Sequence, residues 1–95
     1  GGPRDDLLQV RIGDLDIRPD DYRKGVALLQ RPVPAAVAFQ WNTHVDPPFV
    51  VLTHERTRTT LLLTSEPANF GCRRWYFIGS DGRKALKVRW LPGHN

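Results

Sequence analysis

The stretch RRWYFIGSDGRKALKVRW, residues 73–90, decides the fold class because it has the pattern of a β-hairpin. Aromatic and β-branched residues, which are typical of strands, lie on both sides of the dipeptide Asp81-Gly82. Asp and Gly both tolerate the positive φ of a type I′ turn, so this dipeptide predicts a two-residue loop. We therefore expect the two flanking runs to pair as antiparallel strands, with Ser80 opposite Arg83.

Counting outward from this turn divides the hairpin into two faces. The mostly apolar face is predicted to pack on the core, and its opposed pairs are Phe77–Leu86, Trp75–Val88 and Arg73–Trp90. The other face is predicted to point outward, and its pairs are Ile78–Ala85, Tyr76–Lys87 and Arg74–Arg89. Two arginines directly opposite each other repel. An anion between them would relieve this repulsion, whereas on a solvated face their long stems would only cover the sheet.

The rest of the chain predicts further strands at LLQVRI (7–12), AAVAFQW (35–41), FVVLTH (49–54) and TRTTLLLT (57–64). Between the first two, Asp16 or Arg18 caps a predicted short helix with Pro19 in its first turn and Gly25 at its end. The expected fold is all-β or β-rich, with about five to six strands and one short helix. A small antiparallel sandwich and a curled, barrel-like sheet both remain open. The chain is expected to form one small domain, 1–95, with a flexible tail at 91–95.

The charge balance points to an anionic partner for the second half of the chain. The 95 residues include 14 Lys and Arg against 10 Asp and Glu, a net charge of +4. Residues 49–95 carry eight of these basic side chains and only three of the acidic ones. Most of the basic residues are Arg, which suits forked contacts to phosphate or carboxylate. GC-rich coding also produces an Arg-rich, Lys-poor composition, so the Arg excess by itself decides nothing.

These observations favour a non-catalytic binding module whose basic C-terminal β-hairpin contacts nucleic acid or an acidic protein surface. The predicted contact residues are Arg74, Tyr76, Lys87, Arg89, Arg83, Lys84, Arg56 and Arg58. The alternative is a protein–protein module, either a homo-oligomer or an inhibitor of a host protein, anchored by exposed aromatics. Its candidate anchors are Trp41, Phe49, Tyr76 and Trp90.

An enzyme is the least supported class. Cys72 is the only cysteine, so no disulfide framework is expected and a reducing, cytoplasmic setting is predicted. The histidines are scattered at His44, His54 and His94 and match no metal spacing, so we expect neither a metal nor a cofactor. No apolar run approaches the roughly 20 residues that span a bilayer, so no membrane partner is expected.

Residues 64–93 carry a further pattern, in which Asn69-Phe70-Gly71 is followed by Arg73 or Arg74, an aromatic pair and Phe77. This run resembles a group of small uncharacterised bacterial proteins with an Asn/His-Phe-Gly-x-Arg-x-Trp-Phe motif before a zinc-ribbon-like hairpin. The resemblance implies a β-domain leading into such a hairpin and implies no activity. The knuckle cysteines of that group are absent here, since IGSDGRK stands in their place. A tight turn would then join the two strands where the group uses a metal.

Overall fold

A computed structural model describes residues 8–29 and 34–90, apart from the side chains of Leu8 and Trp90. The described chain consists of β-strands with two short 3₁₀ turns, Ile12–Leu15 and Asn69–Gly71. The strands are β1 (Leu8–Arg11), β2 (Tyr22–Leu29), β3 (Ala35–Asn42), β4 (Phe49–His54), β5 (Thr57–Pro67), β6 (Arg73–Ile78), β7 (Lys84–Ala85) and β8 (Lys87–Trp90). The all-β class is confirmed, and the predicted tail at 91–95 lies outside the described residues.

The strands form two antiparallel sheets. Six of them make one sheet in the order β2-β3-β4-β5-β6-β7, and β1 pairs with β8 in a second, two-stranded sheet. In the described part of the chain, β2 and β7 lie at opposite edges of the larger sheet, so it is open and does not close into a barrel. Of the two alternatives that the sequence left open, a small sandwich and a curled, barrel-like sheet, a closed barrel is thus not formed by the described strands.

The core lies on one face of the six-stranded sheet, which we call the core face. In β3, the buried side chains Val37, Phe39 and Trp41 alternate with exposed ones, as expected for a strand with one solvated face. Val10 of β1 and Leu15 of the first 3₁₀ turn are fully buried in the same cluster. The two-stranded sheet therefore covers the core face, and the opposite or outer face of the large sheet points to solvent.

The short helix predicted before Gly25 is absent. Asp16 and Asp20 have φ values of 50° and 51°, a left-handed backbone that interrupts a helix, and β2 follows. The Thr43 backbone N–H donates to the Asp21 carbonyl at 2.8 Å, which continues the pairing of β2 with β3. The helix prediction was wrong because a helix of about two turns has little stability of its own, and pairing along all of β3 overrides it.

The hairpin at 73–90 exists, but its register differs by one residue from the prediction. The Gly82 N–H donates to the Gly79 carbonyl and the Gly79 N–H to the Arg83 carbonyl, both at 2.9 Å. Gly82 has a φ of +78°. The loop is thus a three-residue turn ending in a left-handed glycine, which shifts every opposed pair by one position. Phe77 accordingly lies opposite Ala85 instead of Leu86.

The second arm of the hairpin pairs with β6 only over Lys84–Ala85 and then leaves it. Beyond that point β8 pairs with β1, so Arg89 lies opposite Gln9. Arg74 lies opposite Glu66 of β5. The predicted Arg74–Arg89 pair is therefore wrong, as is the core position of Leu86, which is 54% exposed. Trp75 and Val88 do pack against the core, as predicted.

Candidate nucleic-acid interface

The fold separates the predicted contact residues into groups on different surfaces. Arg74, Tyr76 and Lys84 lie on the outer face of the large sheet, as their register positions require. Lys87 and Arg89 lie instead on the two-stranded sheet, which is on the other side of the core. The single cationic surface expected around one hairpin is therefore not formed.

Glu66 joins two of the outer-face residues. Its carboxylate accepts hydrogen bonds from the Tyr76 hydroxyl and the Lys84 ammonium, each at 2.9 Å. The ammonium also lies 5.3 Å from the centroid of the Tyr76 ring. The Lys84 hydrogen bond, followed by that of Tyr76, lowers the pKa of Glu66, and the same contact raises the pKa of Lys84. Tyr76 and Lys84 thus already have a partner within the chain. They do not form an unpartnered surface of aromatic ring and positive charge for a nucleic acid.

The outward side of the two-stranded sheet carries a group of polar side chains that we call the basic ribbon: Gln9, Arg11, Lys87 and Arg89. Val10 and Val88 point to the core, so the alternation of the strands turns these four outward. Arg11 lies directly opposite Lys87. The Arg89 Nε donates to the Gln9 amide oxygen at 3.0 Å. No carboxylate in 8–29 or 34–90 forms an ion pair with any of the three cations.

A shallow cavity of about 360 Å³ lies between Arg74 and residues next to the basic ribbon in the chain. Its lining residues are Ile12, Gly13, Asp16, Ile17, Arg74, Trp75 and Leu86. Ile12 directly follows Arg11 in the chain, and Leu86 directly precedes Lys87. Asp16 at the rim is held by Arg18 and Arg23, at 3.3 and 3.1 Å. Arg74 thus shares the cavity with the two residues that adjoin Arg11 and Lys87 in the chain.

The remaining predicted contact residues lie elsewhere. Arg58 is opposite Thr53 near the start of β5, eight residues from Glu66. At about 3.3 Å per residue, this places Arg58 about 26 Å along the strand from Glu66 and its neighbour Arg74. Arg56 lies in the turn before β5, and Arg83 at the other hairpin turn has Asp81 3.9 Å from its Nε. The structure does not bring these arginines together with the ribbon.

Sequence reasoning missed two residues, Arg11 and Phe70. Arg11 was not among the predicted contact residues, because nothing local indicated that β1 pairs with β8. Phe70 appeared in the sequence only as part of the Asn69-Phe70-Gly71 motif, and the structure shows it 100% exposed with a φ of 61°. The signal for Phe70 was its position between Asn69 and Gly71, a turn sequence in which an aromatic residue is unusual.

The four aromatic residues predicted as anchors of a protein interface differ in burial. Trp41 is 1% exposed and belongs to the core, so its assignment as an anchor is wrong. Phe49 and Tyr76 are half-buried on the outer face, and the side chain of Trp90 is outside the described residues. The outer face also exposes Tyr22, Val26, Leu28 and Leu62, with exposed fractions of 68%, 59%, 74% and 44%.

The groups considered for catalysis do not converge. Cys72 is exposed beside the β5–β6 turn. The His54 Nδ1 lies 3.2 Å from the Ala36 carbonyl, between β3 and β4, and His44 lies in the loop after β3. Within the described segments, no group of three His, Cys, Asp or Glu side chains is placed to hold a metal ion.

Comparison with known proteins adds no relative, since no family model, curated protein or solved structure matches this chain. Across 8–29 and 34–90, no helix has the length and apolar character needed to cross a membrane. The candidate interface therefore has to be judged on its own geometry and charge.

Proposed function

We propose that this protein is a non-catalytic module that binds nucleic acid through the basic ribbon together with Arg74. One observation carries the proposal. Arg11, Lys87 and Arg89 share one outward face, and none of them has an ion-pair partner in the described part of the chain. The free cysteine Cys72 is compatible with a reducing, cytoplasmic setting for such a module.

The Arg11–Lys87 pair supports an anion at this position. Like charges directly opposite each other on a strand pair destabilise the sheet. A phosphate near both side chains would remove the repulsion and gain charge-assisted hydrogen bonds. The Arg89 guanidinium is oriented by its bond to Gln9, while its Nη nitrogens have no hydrogen-bond partner in the described segments. Such a guanidinium is prepared for a forked contact to a phosphate.

Arg74 extends this surface across the cavity that it lines with Leu86 and Ile12. Because Glu66 is occupied by Lys84 and Tyr76, it offers Arg74 only a longer-range attraction. Three or four phosphate contacts would follow from Arg11, Lys87, Arg89 and Arg74. Contacts of this kind position a nucleic acid without reading its sequence.

The test is an anisotropy titration of labelled DNA and RNA oligonucleotides between about 50 and 200 mM salt. With three or four phosphate contacts, log K should fall against log salt with a slope of about −2.7 to −3.6 for a duplex. Lys87→Gln should weaken binding and reduce the slope by about 1. Lys24→Gln removes the same charge from the exposed outer face of β2 and should leave the affinity unchanged. Absence of binding at low salt would overturn the proposal.

An acidic protein surface is the competing anionic partner, and the same titration separates it. Polyaspartate carries the charge but lacks the forked phosphate oxygens and the bases. It should displace the oligonucleotide only at a large excess. Displacement by polyaspartate at equal charge concentration would replace nucleic acid with an acidic protein as the partner.

A second candidate function, self-association, is favoured by the exposed apolar side chains on the outer face. Val26 and Leu28 lie on β2, which is an edge strand of the described sheet, and edge strands offer unpaired backbone groups. Light scattering at increasing concentration tests this candidate. A dimer that dissociates in Leu28→Glu would support it, and a monomer at all concentrations would reject it.

A further inference from the structure

Phe70 lies at the tip of the β5–β6 hairpin, where its side chain buries no apolar surface. It is 100% exposed, in contrast to the aromatic core residues Trp41 of β3 and Phe77 of β6. A single exposed apolar side chain needs no explanation by itself. What distinguishes this one is its backbone.

The tip has a left-handed backbone at two successive residues. Phe70 has φ and ψ of 61° and 33°, and Gly71 follows with a φ of +74°. The Cys72 N–H donates to the Asn69 carbonyl at 3.2 Å across them, as in a type I′ turn. Glycine and asparagine adopt this conformation readily, whereas a bulky side chain is strained in it. No burial of apolar surface offsets this backbone strain, because the ring is fully exposed.

Two cations, Arg73 and Arg74, follow Phe70 three and four positions later in the chain. Arg73 is tied to the base of the hairpin, with its Nε donating to the Ser65 hydroxyl at 2.8 Å. Arg74 is exposed on the other side of the strand and borders the cavity that it shares with Ile12 and Leu86. The carboxylate nearest in register, Glu66, is already engaged by Lys84 and Tyr76. The tip therefore combines an aromatic face with adjacent positive charge.

We propose that Phe70 stacks on an unpaired base of a single-stranded nucleic acid whose phosphates contact Arg74 and the basic ribbon. The inference rests on the function proposed above and names its substrate class. Single strands are indicated because only unstacked bases can offer a face to an aromatic side chain. An apolar pocket on a protein would accept the ring equally well, but it would offer no negative charge to the arginines beside it.

The experiment compares wild-type protein with Phe70 variants on a labelled single strand and on the duplex of the same sequence. Phe70→Ala should weaken single-strand binding about 10- to 100-fold and leave duplex binding unchanged. The salt slope should stay the same, since no phosphate contact is lost. Phe70→Trp should restore affinity, with indole fluorescence quenched by the bound strand. Phe70→Leu, which is apolar but has no π-face, should remain weak.

Phe70→Asn provides a control for folding. Asparagine tolerates the left-handed backbone, so this variant should melt at a higher temperature than wild type while binding single strands as weakly as Phe70→Ala. A loss of binding in a more stable protein cannot be caused by misfolding.

The outcomes separate the two proposals. If wild-type protein binds nucleic acid with the expected salt slope but Phe70→Ala binds single strands equally well, the stacking role is overturned and the module remains. Full affinity in Phe70→Leu would likewise overturn stacking in favour of an apolar contact. If wild-type protein binds no nucleic acid at low salt, both proposals fall.

Discussion

The indole Nε1 of Trp41 donates a hydrogen bond of 2.8 Å to the backbone carbonyl of Leu15. Trp41 is near the end of β3 in the six-stranded sheet and Leu15 is in the 3₁₀ turn that follows β1, and both are buried. The bond therefore fixes the layer that carries β1 against the core face. The orientation of the basic ribbon, which begins on β1, depends on this contact.

Trp41→Phe should lower the free energy of unfolding by about 2–4 kcal/mol, because it leaves the buried Leu15 carbonyl without a donor and removes packed volume. Chemical denaturation measures the change. Trp75→Phe is the matched control, since the Trp75 indole is half-buried and donates no hydrogen bond to a described residue. An equal loss of unfolding free energy in both variants would mean that the Trp41 hydrogen bond adds nothing to the cost of replacing an indole by a smaller ring.

Gly25→Ala should destabilise the protein, although alanine is usually more favourable than glycine inside a strand. A Cβ at Gly25 would lie 2.7 Å from Cζ and 3.0 Å from Cε2 of Phe39, the residue directly opposite on β3. The ring must move out of its packed position, at a cost of about 1–3 kcal/mol. Thermal and chemical unfolding measure this loss.

Gly13→Ala serves as the control for that substitution, because nothing lies within 4 Å of a Cβ placed there. Its effect should stay within about 0.5 kcal/mol. Replacing Phe39 by Leu in the Gly25→Ala background should recover part of the lost stability, since the two sites are in contact. If Gly25→Ala proves as stable as wild type, the ring does not hold the position described.

Glu66→Gln should reduce stability at neutral pH and flatten the acid limb of the stability profile. Hydrogen bonds from Lys84 and Tyr76 lower the pKa of Glu66 below its usual value of 4.5. The folded protein thus binds a proton at Glu66 less readily than the unfolded chain does. The stabilising contribution of the ionised Glu66 is fully present above pH 4.5. It disappears as the pH falls below 4.5 and through the lower pKa of the folded state.

Melting temperature as a function of pH tests this, with the difference between wild type and Glu66→Gln shrinking in acid. The pKa of Lys84 is raised by the same contact, so its contribution fades only as the pH rises through a value above 10.5. Both groups are partly exposed, so added salt should reduce the effect. A constant difference across the acid range would be incompatible with this ion pair.

Lys87→Glu should stabilise the fold and weaken nucleic-acid binding at the same time. It replaces the repulsion between Arg11 and Lys87 by an attraction, worth roughly 0.2–1 kcal/mol for opposed pairs on a sheet. Denaturant unfolding at low salt should show the gain, and high salt should remove it. On a merely solvated face the substitution would leave oligonucleotide affinity unchanged, which would contradict a phosphate contact at Lys87.

Several elements were predictable because their signals are local. The β-branched and apolar run AAVAFQW over 35–41 predicts a strand, and β3 lies there. The runs at 49–54 and 73–78 likewise match β4 and β6. The existence of a turn near Asp81-Gly82 follows from residues that tolerate positive φ. In each case the few residues involved carry the whole pattern.

The turn type at that hairpin was not determined by its dipeptide. Asp81-Gly82 suits a two-residue loop, but Gly82 takes the left-handed position of a three-residue loop instead. The two loops use the same residues and differ by one position in register. Choosing between them requires the packing of Phe77 and its neighbours on the core.

The sequence by itself determined that this chain forms antiparallel strands, where most of them lie and that its second half is basic. The tertiary structure alone decided that β2 is a strand, that β8 leaves β6 for β1, and hence which cations share a surface. Strand identity depends on alternation and backbone preference within a few residues. The pairing of residues about 80 positions apart, as for Arg89 and Gln9, depends on which arrangement buries Val10 and Leu15, and no local pattern encodes that choice.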